Sequence, residues 1–174
     1  TLPLYWLNEP GRQEGAVELL AFDVQRDLAV LRAKNRTASA PVLEFRPAAE
    51  AMAQGERIYS LGNPLDIGFA VTEGTYNGLV RRSFYPRIFF GGALNPGMSG
   101  GPAVDDAGRV LGVNVAKRLD GEQVSFLIPA EFAQALVQRA AHAQAITQPA
   151  YDEVTRQLQV HQNLLTERFL QTPF

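Results

Sequence analysis

Gly92-Ala93-Leu94-Asn95-Pro96-Gly97-Met98-Ser99-Gly100-Gly101-Pro102 sets one serine in a nest of glycines. Gly97 precedes Ser99 by two residues, and Gly100 and Gly101 follow it directly. Glycine lets a backbone turn sharply and bring its N–H groups close to a reacting carbonyl. Ser99 is therefore a candidate nucleophile, and the alternative is a glycine-rich turn with an incidental serine. What flanks the stretch decides between them.

Downstream, Ala103-Val104 leads into Asp105-Asp106-Ala107-Gly108, a hairpin turn of the Asp/Gly kind. Arg109 to Ala116 reads as a strong strand, and Leu119-Asp120-Gly121 turns it back into Gln123–Ile128. Upstream, Arg57–Leu61, Phe69–Arg82 and Arg87–Phe90 read as strands, with Gly62-Asn63-Pro64 as a turn. Before the alanine-rich linker at 47–54 lie the apolar run 1–8, then Gly15–Phe22 and Asp27–Ala33, with a brief extended piece at Pro41–Phe45. Short strands at regular spacing define an all-β barrel or sandwich. From Pro129 onward the period changes. Ala130–Ala145 is expected to form a helix, Gln148-Pro149 to break it, and Tyr151–Leu170 to form a second. Tyr151, Val154, Leu158, His161, Leu165 and Phe169 make one apolar stripe on that second helix.

Composition narrows the function. A chain of 174 residues, 46% hydrophobic and 20% charged, has the balance of a folded domain. The net charge of −2 gives no electrostatic case for nucleic acid. No apolar run approaches the roughly 20 residues of a membrane helix. Without cysteine, and with only two histidines, a metal centre is not expected, and no cofactor motif is present.

Two serine-hydrolase architectures carry a Gly-x-Ser-x-Gly string. One places the serine on a strand-to-helix elbow, with Asp and His following it. Asp105, Asp106, Asp120, His142 and His161 lie downstream. Gly100-Gly101-Pro102 cannot start that helix, however, and a strand follows instead. The other architecture is a double β-barrel with the order His, Asp, Ser. It needs an aspartate opening an upstream strand. Asp27, heading Asp-Leu-Ala-Val-Leu, meets that need better than Asp23, which no apolar strand follows directly.

In order, Asp27-Leu-Ala-Val-Leu, Gly62-Asn-Pro, Thr72-Glu-Gly, Ala93 to Pro102, Gly112-Val-Asn and Ser125-Phe-Leu-Ile-Pro resemble the trypsin-like serine proteases, most of all the bacterial HtrA/Deg branch. The resemblance covers about residues 15–130. It implies a double β-barrel: 1–47 as the second half of the first barrel, 55–130 as the second barrel, and 131–174 as a helical extension. It implies an endopeptidase with Ser99 as nucleophile, Asp27 as orienting acid, and the N–H groups of Gly97 and Ser99 as the oxyanion hole. Ala93, Leu94, Val113, Asn114, Val115 and Phe126 would wall an apolar substrate pocket. The partner is a protein or peptide substrate, and the location the periplasm or cell envelope.

The chain departs from the pattern in three places. Met98 stands where digestive members carry aspartate, so activation by an ion pair with a cut N-terminus is not expected. Two helices stand where HtrA proteins continue into PDZ domains; the second is expected to dock on the catalytic domain, and the alternative is self-association or a link to another domain. Residues 1–26 hold no histidine. The expectation is that Thr1 is not the true start and that the catalytic histidine lies on an upstream segment. The alternative is an inactive, protease-like peptide-binding or regulatory module.

Overall fold

The computed structural model describes residues 2–6, 13–33, 42–80, 85–119 and 122–171. Strands β1 (Leu2–Trp6), β2 (Gln13–Asp23) and β3 (Leu28–Ala33) form an antiparallel sheet in the order β1-β2-β3. β4 (Arg57–Gly62), β5 (Ala70–Val80), β6 (Arg87–Phe90), β7 (Pro102–Val104), β8 (Val110–Leu119) and β9 (Glu122–Pro129) close a barrel in the order β4-β5-β6-β9-β8-β7. Closure leaves the barrel without a free edge. Two helices follow, α1 (Ala130–Ala140) and α2 (Gln148–Gln171).

Strand alternation divides the apolar residues between two faces. Ile58, Ile88, Phe90, Leu94, Met98, Ala103, Leu111 and Leu127 fill the barrel. A bulge in the β7–β8 pairing, between Ala103 and Val104, lets Leu111 join that core while its neighbour Val110 packs outward with Val104 and Phe45. On the outer face, Val113, Val115 and Ile128 meet Leu136 and Phe132 of α1 together with Leu28 and Val30 of β3. This cluster joins the two sheets, and α1 seals it. The 42–46 segment runs beside the barrel, where Arg46 N donates to Val110 O at 2.8 Å and Val110 N to Glu44 O at 2.7 Å.

The helices differ from the sequence expectation at their ends. α1 stops at Ala140, not Ala145, and Gln148-Pro149 begins α2 rather than merely ending α1. Proline has no N–H to lose in a helix's first turn, so it starts a helix as readily as it stops one. Between the helices, Ile146 N donates to Leu19 O of β2 at 2.8 Å. Tyr151, Val154 and Leu158 of α2 face Leu19, Phe22 and Leu31 of the three-stranded sheet across a cavity of 260 Å³. Among the described residues no helix is long and apolar enough to cross a membrane.

Candidate active site

Ser99 is exposed on the loop between β6 and β7. Two tight turns shape that loop: Met98 N donates to Asn95 O at 3.1 Å, and Gly101 N to Met98 O at 3.1 Å. Gly97 has φ +96°, and a Cβ there would collide with the carbonyl oxygen of Asn63. A Cβ on Gly101 would run into the carbonyl oxygen of Leu61. Both positions therefore require glycine, one for its dihedral and close packing, the other for close packing alone.

Each flank of Ser99 is tied to a different part of the barrel. On one side Gly100 N donates to Asn114 O, and Asn114 N to Gly101 O, both at 2.9 Å. On the other side Leu65 N donates to Pro96 O at 2.9 Å. The start of the loop is held from β9, where Ser125 Oγ accepts from Leu94 N at 3.0 Å. Met98, the residue before Ser99, is fully buried in the barrel core. An apolar side chain there anchors the loop by packing, where an aspartate would bury a charge.

Asp27 closes the β2–β3 turn and is exposed, with φ +55°. Asp23, its rival in the sequence, is occupied inside the same turn. It accepts from Arg26 N at 3.1 Å and from Arg26 Nη1 at 2.6 Å. Burial pushes the Asp23 carboxyl up, but the Arg26 guanidinium and amide outweigh it and hold it below the usual range. The Arg26 guanidinium then lies 4.2 Å from the centre of the Phe132 ring on α1. Asp27 and Ser99 are linked through packed residues. Leu28, next to Asp27, shares the cluster of Val113 and Val115, and Asn114 between those valines holds Gly100.

The six residues of the expected pocket divide between the β6–β7 loop and the two faces of β8 and β9. Ala93 is exposed on the loop. Val113, Val115 and Phe126 are half-buried on the outer face. The Phe126 ring lies 6.3 Å from that of Phe89, with the Arg87 guanidinium 5.8 Å from its centre. Leu94 and Asn114 point inward, at 0% and 1% exposure, and neither side chain reaches a surface where a substrate could touch it. Asn114 instead donates from Nδ2 to Leu61 O at 3.0 Å and to Met98 O at 3.2 Å. Sequence reasoning missed this clamp, and it missed Asn63 and Leu65 as neighbours of Gly97. Gly62-Asn63-Pro64 signals a turn, but no local pattern says what the turn will touch.

His142 is exposed in the α1–α2 connection, and His161 is half-buried on α2.

Closed barrel, second sheet and glycine-bound serine together define the trypsin-like peptidase class. A family model described as "Trypsin-like peptidase domain" matches residues 4–113, and the chain belongs to that family. Within it, the likeness is to the HtrA/Deg serine proteases. The chain is 34% identical over 125 residues to the putative serine protease HhoB of Synechocystis sp., covering 67% of this chain and 29% of that protein. It is 33% identical over 129 residues to a probable periplasmic serine endoprotease, DegP-like, of Hahella chejuensis, covering 70% and 27%. The solved structure of the HtrA-type protease AlgW with a decapeptide matches with a TM-score of 0.65 at 27% identity, covering 75% of this chain and 42% of that one. The chain thus spans about a third or less of the two curated relatives named.

Proposed function

We propose that this chain is the greater part of the catalytic unit of a serine endopeptidase. Ser99 Oγ attacks the scissile carbonyl, and an acyl-enzyme forms and is hydrolysed. The N–H groups of Gly97 and Ser99 receive the developing oxyanion, and such a donor contributes about 2.7–4 kcal/mol in other serine proteases. Asp27 orients the histidine that takes the Ser99 proton. That histidine is contributed by a segment beyond residues 1–174, because His142 and His161 both belong to the helical extension. The observation that carries the reading is the loop itself: an exposed serine between two glycines, bonded to the barrel on both sides.

The acyl side of the substrate lies along β8, with Ala93 and Phe126 as the apolar surface for the residue before the cut, while Val113 and Val115 pack against α1 and β3. A protein or peptide substrate fits the decapeptide present in the AlgW structure. The DegP-like relative's name supports a periplasmic or envelope location. Self-association through 147–174 would show as a fall in molar mass when that segment is deleted.

A serine-directed phosphonate applied to the full-length protein tests the reading. The expected result is a single adduct on Ser99, absent from Ser99→Ala. A folded full-length protein that takes no label and cleaves no unfolded protein would instead be a peptide-binding module.

A further inference from the structure

Four residues at alternate positions beside the nucleophile loop expose large apolar side chains: Leu65 (64%), Ile67 (80%), Phe69 (66%) and Val71 (55%). Single exposed apolar residues need no explanation, but a run of them marks a binding surface. The loop that shows them is firmly built. Asn63 Oδ1 accepts from Gly68 N at 2.8 Å, Ile67 N donates to Pro64 O at 3.1 Å, and Leu65 N donates to Pro96 O at 2.9 Å. Among the described residues only Asp27 and Leu65 are non-glycine residues with positive φ. Aspartate tolerates that region, while for a bulky leucine it is an outlier. Such outliers persist where the surroundings over-determine them, and they cluster at functional sites.

We infer that Leu65, Ile67 and Phe69 bind the leaving-group side of the substrate and select polypeptides with apolar residues just after the cleaved bond. The inference rests on Ser99 being the nucleophile. Its geometry follows from the two flanks of that residue. β8 is bonded to the Gly100–Gly101 side, and the 63–65 backbone packs on the Gly97 side. A chain that crosses Ser99 with its acyl part along β8 must leave over the Gly97 flank. There it meets the exposed apolar loop. A second copy of the chain or a lipid surface would use the same side chains, but neither accounts for the main-chain bond from Leu65 N to Pro96 O that seats this loop beside Gly97.

The test uses the full-length protein and two peptides identical before the cut. One ends in a small chromogenic amide, and the other continues with three apolar residues. The apolar extension is expected to raise kcat/KM about tenfold or more, the scale by which apolar pockets discriminate. In the double variant Ile67→Ser, Phe69→Ser the ratio of the two peptides should fall to near one. An equal fall for both peptides, no advantage of the extension in the parent, or a changed molar mass of the variant would overturn the inference. If neither peptide is cleaved, the nucleophile assignment fails separately. Fluorescence anisotropy with the apolar leaving-side peptide then decides: binding lost in the variant supports the surface, and no binding by the parent rejects it.

Discussion

The side-chain amide of Asn114, on β8, donates to the main-chain carbonyl of Met98, the residue that precedes Ser99, at 3.2 Å. The same Nδ2 reaches Leu61 O on β4 at 3.0 Å, so one buried group joins two strands and the nucleophile loop. Replacing it with a side chain that cannot donate removes both bonds, although Met98 O keeps Gly101 N as a donor. A hydrogen bond contributes about 1 kcal/mol net, and a buried group left unsatisfied costs about 1–3 kcal/mol. Asn114→Leu is expected to destabilise the protein by about 1–3 kcal/mol in urea titration, with slower phosphonate labelling of Ser99. Ser60 is the contrasting case: its Oγ is fully buried and has no hydrogen-bond partner among the described residues. Ser60→Ala should leave stability unchanged or raise it by about 1 kcal/mol.

Gly97→Ala should disable the proposed oxyanion hole while leaving most of the barrel intact. The φ of +96° and the Asn63 carbonyl both oppose a side chain there. The loop must shift, and the Gly97 N–H moves with it. Loss of one oxyanion donor costs about 10²–10³ in kcat. Measured on the full-length protein, a rate within a factor of five of the parent would remove Gly97 from the site.

Asp27→Asn tests the orienting acid with little confounding strain, since asparagine also tolerates positive φ. In a Ser-His-Asp triad this change lowers kcat about 10⁴-fold through the wrong histidine tautomer. Asp23→Asn should behave differently. It loosens the Arg26 pair and the stacking on Phe132, so its expected effect falls on thermal stability. Equal loss of activity in both variants would argue that the turn as a whole, not Asp27, is what matters.

Acid should weaken the hairpin that follows the nucleophile loop. Asp105 is buried and accepts from Ala107 N at 3.0 Å, Arg109 N at 2.9 Å and Arg109 Nε at 3.0 Å, with Arg46 Nη1 at 3.5 Å. Burial raises its pKa, but the Arg109 hydrogen bonds and charge prevail, and it lies below the ordinary 3.8. A depressed carboxylate contributes stability that is complete above the unfolded value and is lost as pH falls through the folded one. Melting temperature should therefore drop below about pH 4, and the drop should be shallower in Asp105→Asn. An identical acid limb in the variant would assign the effect to other carboxylates.

The barrel was legible because its signals are local. Asp105 to Gly108 turns β7 into β8, and Arg87–Phe90 is the strand the sequence indicates. Asp27 was legible as a strand opener, since Leu28 begins β3. Asn114 reads as a pocket residue because it lies in the strand expected to wall one. Its neighbours Val113 and Val115 do face outward, but the period of two sends Asn114 to the opposite face. Pro149 reads as a break in the sequence because a proline can end one helix or begin the next, and only packing distinguishes these.

From the sequence alone follow the all-β core, the serine set among glycines and an aspartate at the head of β3, because turn chemistry and strand period are properties of neighbouring residues. The tertiary structure decided what stands on either side of Ser99. Asn114 meets Leu61 across 53 positions and Met98 across 16, and Leu65 meets Pro96 through a main-chain bond. Barrel closure brings these partners together, and their hydrogen bonds form because buried polar groups require them.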